Sequence, residues 1–151
     1  MPMDAAYSRN AAHSTKQMSN RFRHYRESLG RRVVSVFQVG EIMCCELEGD
    51  ILVCGQIAEE HGNVDIVLGP MTAMPPMFGP AFPRPYRPMQ MVLVGRMFQG
   101  LLTSSRTGDV SLDFGLYQIR FVREDAIAVL VRTDRFASEQ LRHFENFQVI
   151  D

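Results

Sequence analysis

Glu46–Leu68 reads ELEGDILVCGQIAEEHGNVDIVL, and Phe121–Val131 reads FVREDAIAVLV. Both stretches contain short apolar runs bounded by turn residues, a pattern typical of β-strands. In the first stretch, Gly49 and Asp50 provide turn chemistry between two runs, and the His-Gly-Asn sequence at 61–63 provides a second turn. The sequence therefore predicts an antiparallel meander of short strands, which is the usual content of a small β-barrel.

The segments around these stretches predict the remaining elements. Residues 19–29 have the apolar spacing of one helix face and are followed by Gly30, so they predict a short helix. Residues 69–90 hold seven of the eight prolines of the chain, which predicts a long loop because proline cannot sustain a central strand. Residues 134–145 predict a second helix, and residues 1–18 predict a disordered arm.

The two quoted stretches together resemble the two halves of the Sm/LSm signature. The first matches that family's acidic–Leu start, glycine turn, Gly-x-aliphatic step and aliphatic-x-Leu end without a gap. These matches are Glu46-Leu47, Gly49-Asp50, Gly55-Gln56-Ile57, Ile66 and Leu68. It departs from the family at His61, Val64 and Asp65. The second half matches at Val122–Ile127, except that Glu124 replaces a glycine.

The resemblance implies a fold and a domain organisation. We expect a mainly β protein: a small, strongly bent, five-stranded antiparallel Sm-like barrel with an N-terminal helix, a long insertion between strands 3 and 4, and a C-terminal helix. The single domain spans 19–151, with the insertion at 69–109 and the C-terminal helix at 134–145. The expected core comprises Leu47, Val53, Ile57, Leu68, Ile127 and Val129.

The resemblance also implies sites. Sm proteins read one base of a U-rich strand per subunit through two loops, and by position Asn63 is the stacking residue, Asp65 recognises the base and Arg123 stacks from the other side. Asp125, in the second loop, is assigned to the same RNA-binding site. A guanidinium plane suits such stacking. The expected subunit interface comprises Ile119, Phe121, Ile127, Val129 and Val131.

The implied function is that of an Sm-like subunit in a hetero-oligomeric ring. Such rings form the core of a small nuclear ribonucleoprotein in pre-mRNA splicing, which implies a nuclear location, with cytoplasmic assembly possible. The expected partners are other Sm/LSm-like proteins and U-rich snRNA. The alternative is a protein-only adaptor or assembly factor that keeps the fold without base recognition. Residues 69–90 are a candidate contact for a further protein.

A ligand-binding β-barrel is a third reading. Asp109–Gly115, DVSLDFG, resembles the motif of cyclic-dinucleotide-binding PilZ barrels, but its spacing is one residue too long and no RxxxR precedes it. The sequence predicts no enzyme, no cofactor and no metal site, because its four histidines and three cysteines lack ligand spacing. We also expect no membrane partner, because no apolar run is long enough to span a bilayer. Strand alternation places Cys45 inward and Cys44 outward.

Overall fold

A computed structural model describes residues 20–58, 61–74, 78–136 and 139–150, so the predicted arm at 1–18 lies outside the described residues. The first described element is helix α1, which includes residues 20–28, and Gly30 follows it in the left-handed region at a φ of +81°. Eleven strands and a second helix follow. They are β1 Val33–Val39, β2 Ile42–Leu47, β3 Ile51–Ile57, β4 Val64–Pro70, β5 Pro83–Pro85, α2 Arg87–Leu93, β6 Gly100–Ser104, β7 Val110–Asp113, β8 Tyr117–Val122, β9 Ile127–Arg132, β10 Leu141–His143 and β11 Gln148–Val149.

These strands form two sheets, so the prediction of a mainly β protein is confirmed. The first sheet has the order β11-β4-β3-β2-β1-β5 and the second has the order β10-β6-β7-β8-β9. All pairs are antiparallel except β11 with β4. The two stretches that open the sequence analysis lie in different sheets, the first across β2–β4 and the second in β8 and β9. Strand pairing over the described residues therefore gives two open sheets, not one closed five-stranded ring of strands.

The main core lies between the two sheets. Its buried side chains come from the inward faces of β1–β4 and β6–β8, with Tyr25 of α1 and Phe147 added. Gly55 of β3 allows the two sheets to approach closely, because a Cβ at this position would lie 2.3 Å from Cζ of Phe121. Of the expected core, Leu47, Val53 and Leu68 are fully buried, whereas Ile57 only packs against the core's edge.

A second apolar cluster covers the opposite face of the first sheet. It contains Phe37, Val39, Cys44, Leu52, Cys54, Val67 and Met74. Cys44 faces away from the main core, as strand alternation predicts, and it is fully buried because this second cluster covers that face. Cys54 lies opposite Cys44 in the β2–β3 pair, and their sulfur atoms are 3.2 Å apart. That hydrogen bond and burial raise the pKa of the Cys54 thiol.

The proline-rich segment is not the long loop that its composition predicts. Its first part supplies Met74 to the second cluster, and Pro83–Pro85 form the edge strand β5 beside β1. Prolines are tolerated at a sheet edge because the outward side needs no amide donor. Pro88 stands in the first turn of α2, whose Met89 and Leu93 are buried. The expected insertion at 69–109 thus contributes to both sheets, through the end of β4, β5 and β6.

The predicted C-terminal helix at 134–145 is wrong in the residues that the structure describes. Thr133–Phe136 form one turn of 3-10 helix, and Leu141–His143 form β10. The apolar spacing that suggested a helix has another cause. Leu141 pairs with Ser104 of β6, and the Phe144 amide donates to the carbonyl of Leu101 at 2.9 Å.

The register of β8 with β9 corrects the expected interface. Ile119 and Phe121 are 0% and 1% exposed because they face the core opposite Leu130 and Ala128. Their side chains are therefore enclosed within this chain. The other three lie on the outer face, where Ile127 is 48% exposed and Val129 and Val131 are half-buried. Ile127 and Val129 are consequently wrong as core residues, because odd-numbered residues of β9 point away from the core.

Candidate functional site

The two loops that the resemblance assigns to RNA meet in the structure. The Nε of Arg123, in the β8–β9 turn, donates a hydrogen bond to the carbonyl oxygen of Gly62 at 2.8 Å. Gly62 belongs to the β3–β4 loop, next to Asn63. The structure therefore brings these loops together from 61 positions apart in the chain, although β3 and β8 lie in different sheets.

The β3–β4 loop is a tight turn, with Gly62 in the left-handed region at a φ of +62°. The Gly62 amide donates to the carbonyl of Ala58 at 2.7 Å, and the Ala58 amide donates to the carbonyl of Asn63 at 2.8 Å. Asn63 and Asp65 are both exposed, and Asp65 lies near the start of β4, paired with Gln56 of β3. Asp65 therefore lies outside the turn that Arg123 contacts.

The β8–β9 turn is shaped by a strained residue. Ala126 has a φ of +54°, which is uncommon for a residue other than glycine, and its amide donates to the carbonyl of Arg123 at 3.3 Å. The turn exposes Arg123, Glu124 and Asp125. Arg123 is the only arginine or lysine in these two loops, and Glu124 and Asp125 follow it directly.

Asp109 positions Arg123. Its Oδ1 accepts the backbone amide of Arg123 at 3.0 Å, and its Oδ2 accepts the Nε of Arg120 at 3.2 Å. Gly108 next to it gives the arginine room, because a Cβ there would lie 2.5 Å from Nη1 of Arg123. The Asp109–Gly115 motif therefore begins with a carboxylate that is 7% exposed and already bound within the protein.

A buried ion-pair network continues from Asp109. The Nη1 and Nη2 atoms of Arg120 donate to Oε2 and Oε1 of Glu139 at 2.8 and 3.0 Å, and Ser104 donates to Oε1. The hydrogen bonds from Arg120 lower the pKa of Glu139 to about 2. Sequence reasoning missed this network. The polar Ser111, Gln118 and Arg120 alternate along β7 and β8 as on a solvated face, and Glu139 fell inside the expected helix.

Beside the β8–β9 turn, a cleft of about 270 Å³ opens between the two sheets. Its lining includes Met43, Tyr86 and Phe121, with Ala126 and Ile127 near the second loop. Gln38 and Glu41 add polar groups. Polar atoms make up more of the cleft's lining than apolar atoms, so it lacks the mostly apolar walls of a usual small-ligand site.

Protein-family models, curated proteins and solved structures contain no match to this chain. The Sm/LSm resemblance therefore rests on the residues quoted above.

Two further observations concern only the part of the chain that the structure describes. No three or more histidine, cysteine, aspartate or glutamate side chains converge there as a metal site. Neither of its helices combines the length and the apolar character needed to cross a membrane.

Proposed function

We propose that this protein contacts single-stranded RNA at the surface where its two loops meet. The observation that carries the proposal is the hydrogen bond from Arg123 to Gly62, which joins the two loops that share base recognition in the Sm family. An exposed guanidinium is a good stacking surface for a base. Asn63, Asp65 and Asp125 are the other residues assigned to this site, and the adjacent cleft supports the proposal because it gives a flat ring room.

The particular form of the proposal follows the Sm resemblance. The protein acts as a subunit of a hetero-oligomeric ring, the core of a small nuclear ribonucleoprotein in pre-mRNA splicing, and contacts U-rich RNA in the nucleus. In this form, β2–β4 and the β8–β9 hairpin correspond to the Sm-like barrel. The ring-subunit proposal requires these strands, which lie in two open sheets, to act as an Sm-like barrel. Base contact requires only that the two loops meet.

Assembly is proposed to use β9. This strand is the edge of the second sheet, and its residues 127–131 contain no charge and no proline. Its outer-face side chains Ile127, Val129 and Val131 remain partly exposed. An unprotected apolar edge tends to pair with a strand of another chain. The proposed partner is another Sm-like protein.

The alternative function is a protein-only adaptor, and a specific observation favours it. Glu124 and Asp125 are exposed beside Arg123 in the β8–β9 turn, and Asp65 is exposed at the start of β4. A site for single-stranded RNA, in contrast, normally has a positive groove. Phe82, just before β5, and Met91, within α2, are 83% and 86% exposed and offer apolar contacts to a partner.

Co-purification from nuclear extract, with both RNA and proteins identified, tests the proposal. Recovery of a U-rich RNA together with Sm-like proteins supports it. The adaptor function predicts proteins without RNA, and their loss from a variant carrying Phe82→Ser and Met91→Ser. Substitution at these two exposed positions is preferable to deleting residues 69–90, because the deletion would also remove the buried Met74 and Met89. Recovery of neither RNA nor a partner protein contradicts both functions.

A further inference from the structure

The outer face of the second sheet contains a buried polar layer. Its side chains are Ser104, Asp109, Ser111, Gln118 and Arg120, each no more than 7% exposed. The Glu139 carboxylate lies on this layer, held by both terminal nitrogens of Arg120 and by the Ser104 hydroxyl. The side chains of Arg120 and Glu139 are each 5% exposed. A bidentate hydrogen-bonded pair of guanidinium and carboxylate is both strong and geometrically specific.

One side chain of this layer is left unsatisfied. Gln118 is 0% exposed, and among the residues that the structure describes neither its Nε2 nor its Oε1 has a hydrogen-bond partner. It lies on the same face of β8 as Arg120, two residues away. A buried polar group without a partner costs about 1–3 kcal/mol. Gln118 therefore has hydrogen-bonding capacity that the described residues leave unused.

Glu139 is carried by a weak edge of the sheet. It lies two residues before β10, which is only three residues long and pairs with β6 at the end of the second sheet. Before β10, the Ser105 amide donates to the carbonyl of Gln140 at 3.2 Å. Arg142 and His143 are exposed. A short, exposed edge strand has a low free energy of local unfolding, so it can open while the rest of the protein stays folded.

The charges around Arg120 favour a carboxylate over a phosphate as the bound anion. Oδ2 of Asp109 lies 3.2 Å from Arg120, so the site already contains one carboxylate against one guanidinium. A phosphate with nearly two negative charges would meet Asp109 at close range, whereas a single carboxylate is the group that the site holds now. An extended peptide with a glutamate or aspartate just before a strand matches the geometry of Glu139 and β10.

We propose that Arg120 and Ser104 form a carboxylate-binding site beside β6, which Glu139 occupies from within the chain and which an acidic strand of a partner protein occupies in its place. The incoming strand pairs with β6 where β10 lies, its carboxylate binds Arg120, and its polar side chains reach Gln118. This site differs from the proposed RNA contact at Arg123, although Asp109 contacts both Arg120 and Arg123. Val129 and Val131 of β9 lie opposite Arg120 and Gln118, on the same face of the sheet.

The test uses full-length protein and a synthetic peptide, ASEQLRHFEN, which copies residues 137–146. Glu139→Gln removes the competing carboxylate, so this variant should bind the peptide about tenfold or more tightly than wild type. A peptide with glutamine at the position of Glu139 should lose that gain, as should adding Arg120→Ala to the variant. Arg123→Ala should leave peptide binding unchanged, so failure here is separable from failure of RNA contact. Equal binding of the two peptides by folded Glu139→Gln protein overturns the proposal.

A measurement on wild type covers the case in which Glu139→Gln fails to fold. Amide hydrogen exchange at Leu141–His143 should be faster than at β8, and millimolar peptide should accelerate it. The glutamine peptide should not. Exchange at β10 as slow as at β8, or unaffected by the acidic peptide, overturns the proposal.

Discussion

Arg123 and Gly62 are joined by a hydrogen bond between the arginine Nε and the glycine carbonyl oxygen, 2.8 Å long, across 61 positions of the chain. Asp109 fixes the arginine backbone from the other side at 3.0 Å. The side chain is therefore held between two sheets while it remains exposed. This placement is what makes Arg123 a candidate for contact with a base.

The β9 register predicts that truncating Leu47 and truncating Ile127 lower the free energy of unfolding by different amounts. Leu47→Ala should lower the free energy of unfolding by about 2–4 kcal/mol, because it removes a side chain that is 1% exposed and leaves a cavity. Ile127→Ala should cost about 1 kcal/mol or less, since this side chain is 48% exposed. Urea unfolding monitored by circular dichroism measures both. Equal losses would show that the register described for β9 is wrong.

Gly55 is predicted to be indispensable to the contact between the sheets. In Gly55→Ala the new Cβ would lie 2.3 Å from Cζ of Phe121 and 2.8 Å from Cδ1 of Ile66, so the core must shift. We expect a loss of about 1–3 kcal/mol from overpacking. Phe121→Leu should recover part of that loss in the double variant, because it shortens the clashing ring. A double-mutant cycle of unfolding free energies measures the coupling, and strictly additive effects would contradict the close approach.

Acid should weaken the protein through Glu139. The pKa of this carboxyl is lowered from 4.5 to about 2 by the hydrogen bonds from Arg120. A carboxyl with a depressed folded-state pKa contributes stability that is fully present above its unfolded pKa and is lost as the pH falls through its folded pKa. The difference in stability between wild type and Glu139→Gln should therefore be constant above about pH 5 and shrink from there toward about pH 2. Unfolding midpoints measured across this range check it, and a difference independent of pH would exclude the ion pair as its cause.

Asp65→Asn separates the two proposed functions. The substitution removes a charge beside the phosphate backbone and restores the residue of the Sm family at this position, so U-rich RNA binding should strengthen or stay unchanged. Asp65 is exposed, and the change should leave the fold intact. Titration of a fluorescent U-rich oligonucleotide measures the effect. Weaker RNA binding would show that the carboxylate itself holds the base, whereas an adaptor shows no RNA binding in either form.

The local elements were largely predictable, and the long-range ones were not. Gly49-Asp50 and the 61–63 turn fix the β2–β4 meander, because turn chemistry and alternation act between neighbours in the chain. The C-terminal helix was wrong because the pairing of Leu141 with β6 and of Glu139 with Arg120 overrides local spacing. Alternation placed Cys44 away from the main core, but it could not show the second cluster on that face, because residues from outside the strand, such as Met74, complete it.

The candidate site divides in the same way. The Sm resemblance assigned Arg123 and the 61–63 turn to one site, and in the structure Arg123 donates a hydrogen bond to Gly62 of that turn. Asp109 and Gly108, which hold Arg123 in place, were not predicted for this role, since only the fold brings β7 beside the β8–β9 turn. Ile119 and Phe121 were assigned to the wrong face because strand register cannot be read from alternation within a single strand.

The most direct measurement of the central claim is RNA binding by Arg123→Ala, purified with whatever partners accompany the wild type. Arg142→Ala, an exposed arginine of β10, is the matched control. In a fluorescence anisotropy titration with a U-rich oligonucleotide, loss of one stacking contact should cost Arg123→Ala about 1–3 kcal/mol, roughly a 5- to 150-fold weaker affinity. Arg142→Ala should bind about as wild type does. If a folded, correctly assembled Arg123→Ala binds this RNA with wild-type affinity, base contact by this site is contradicted.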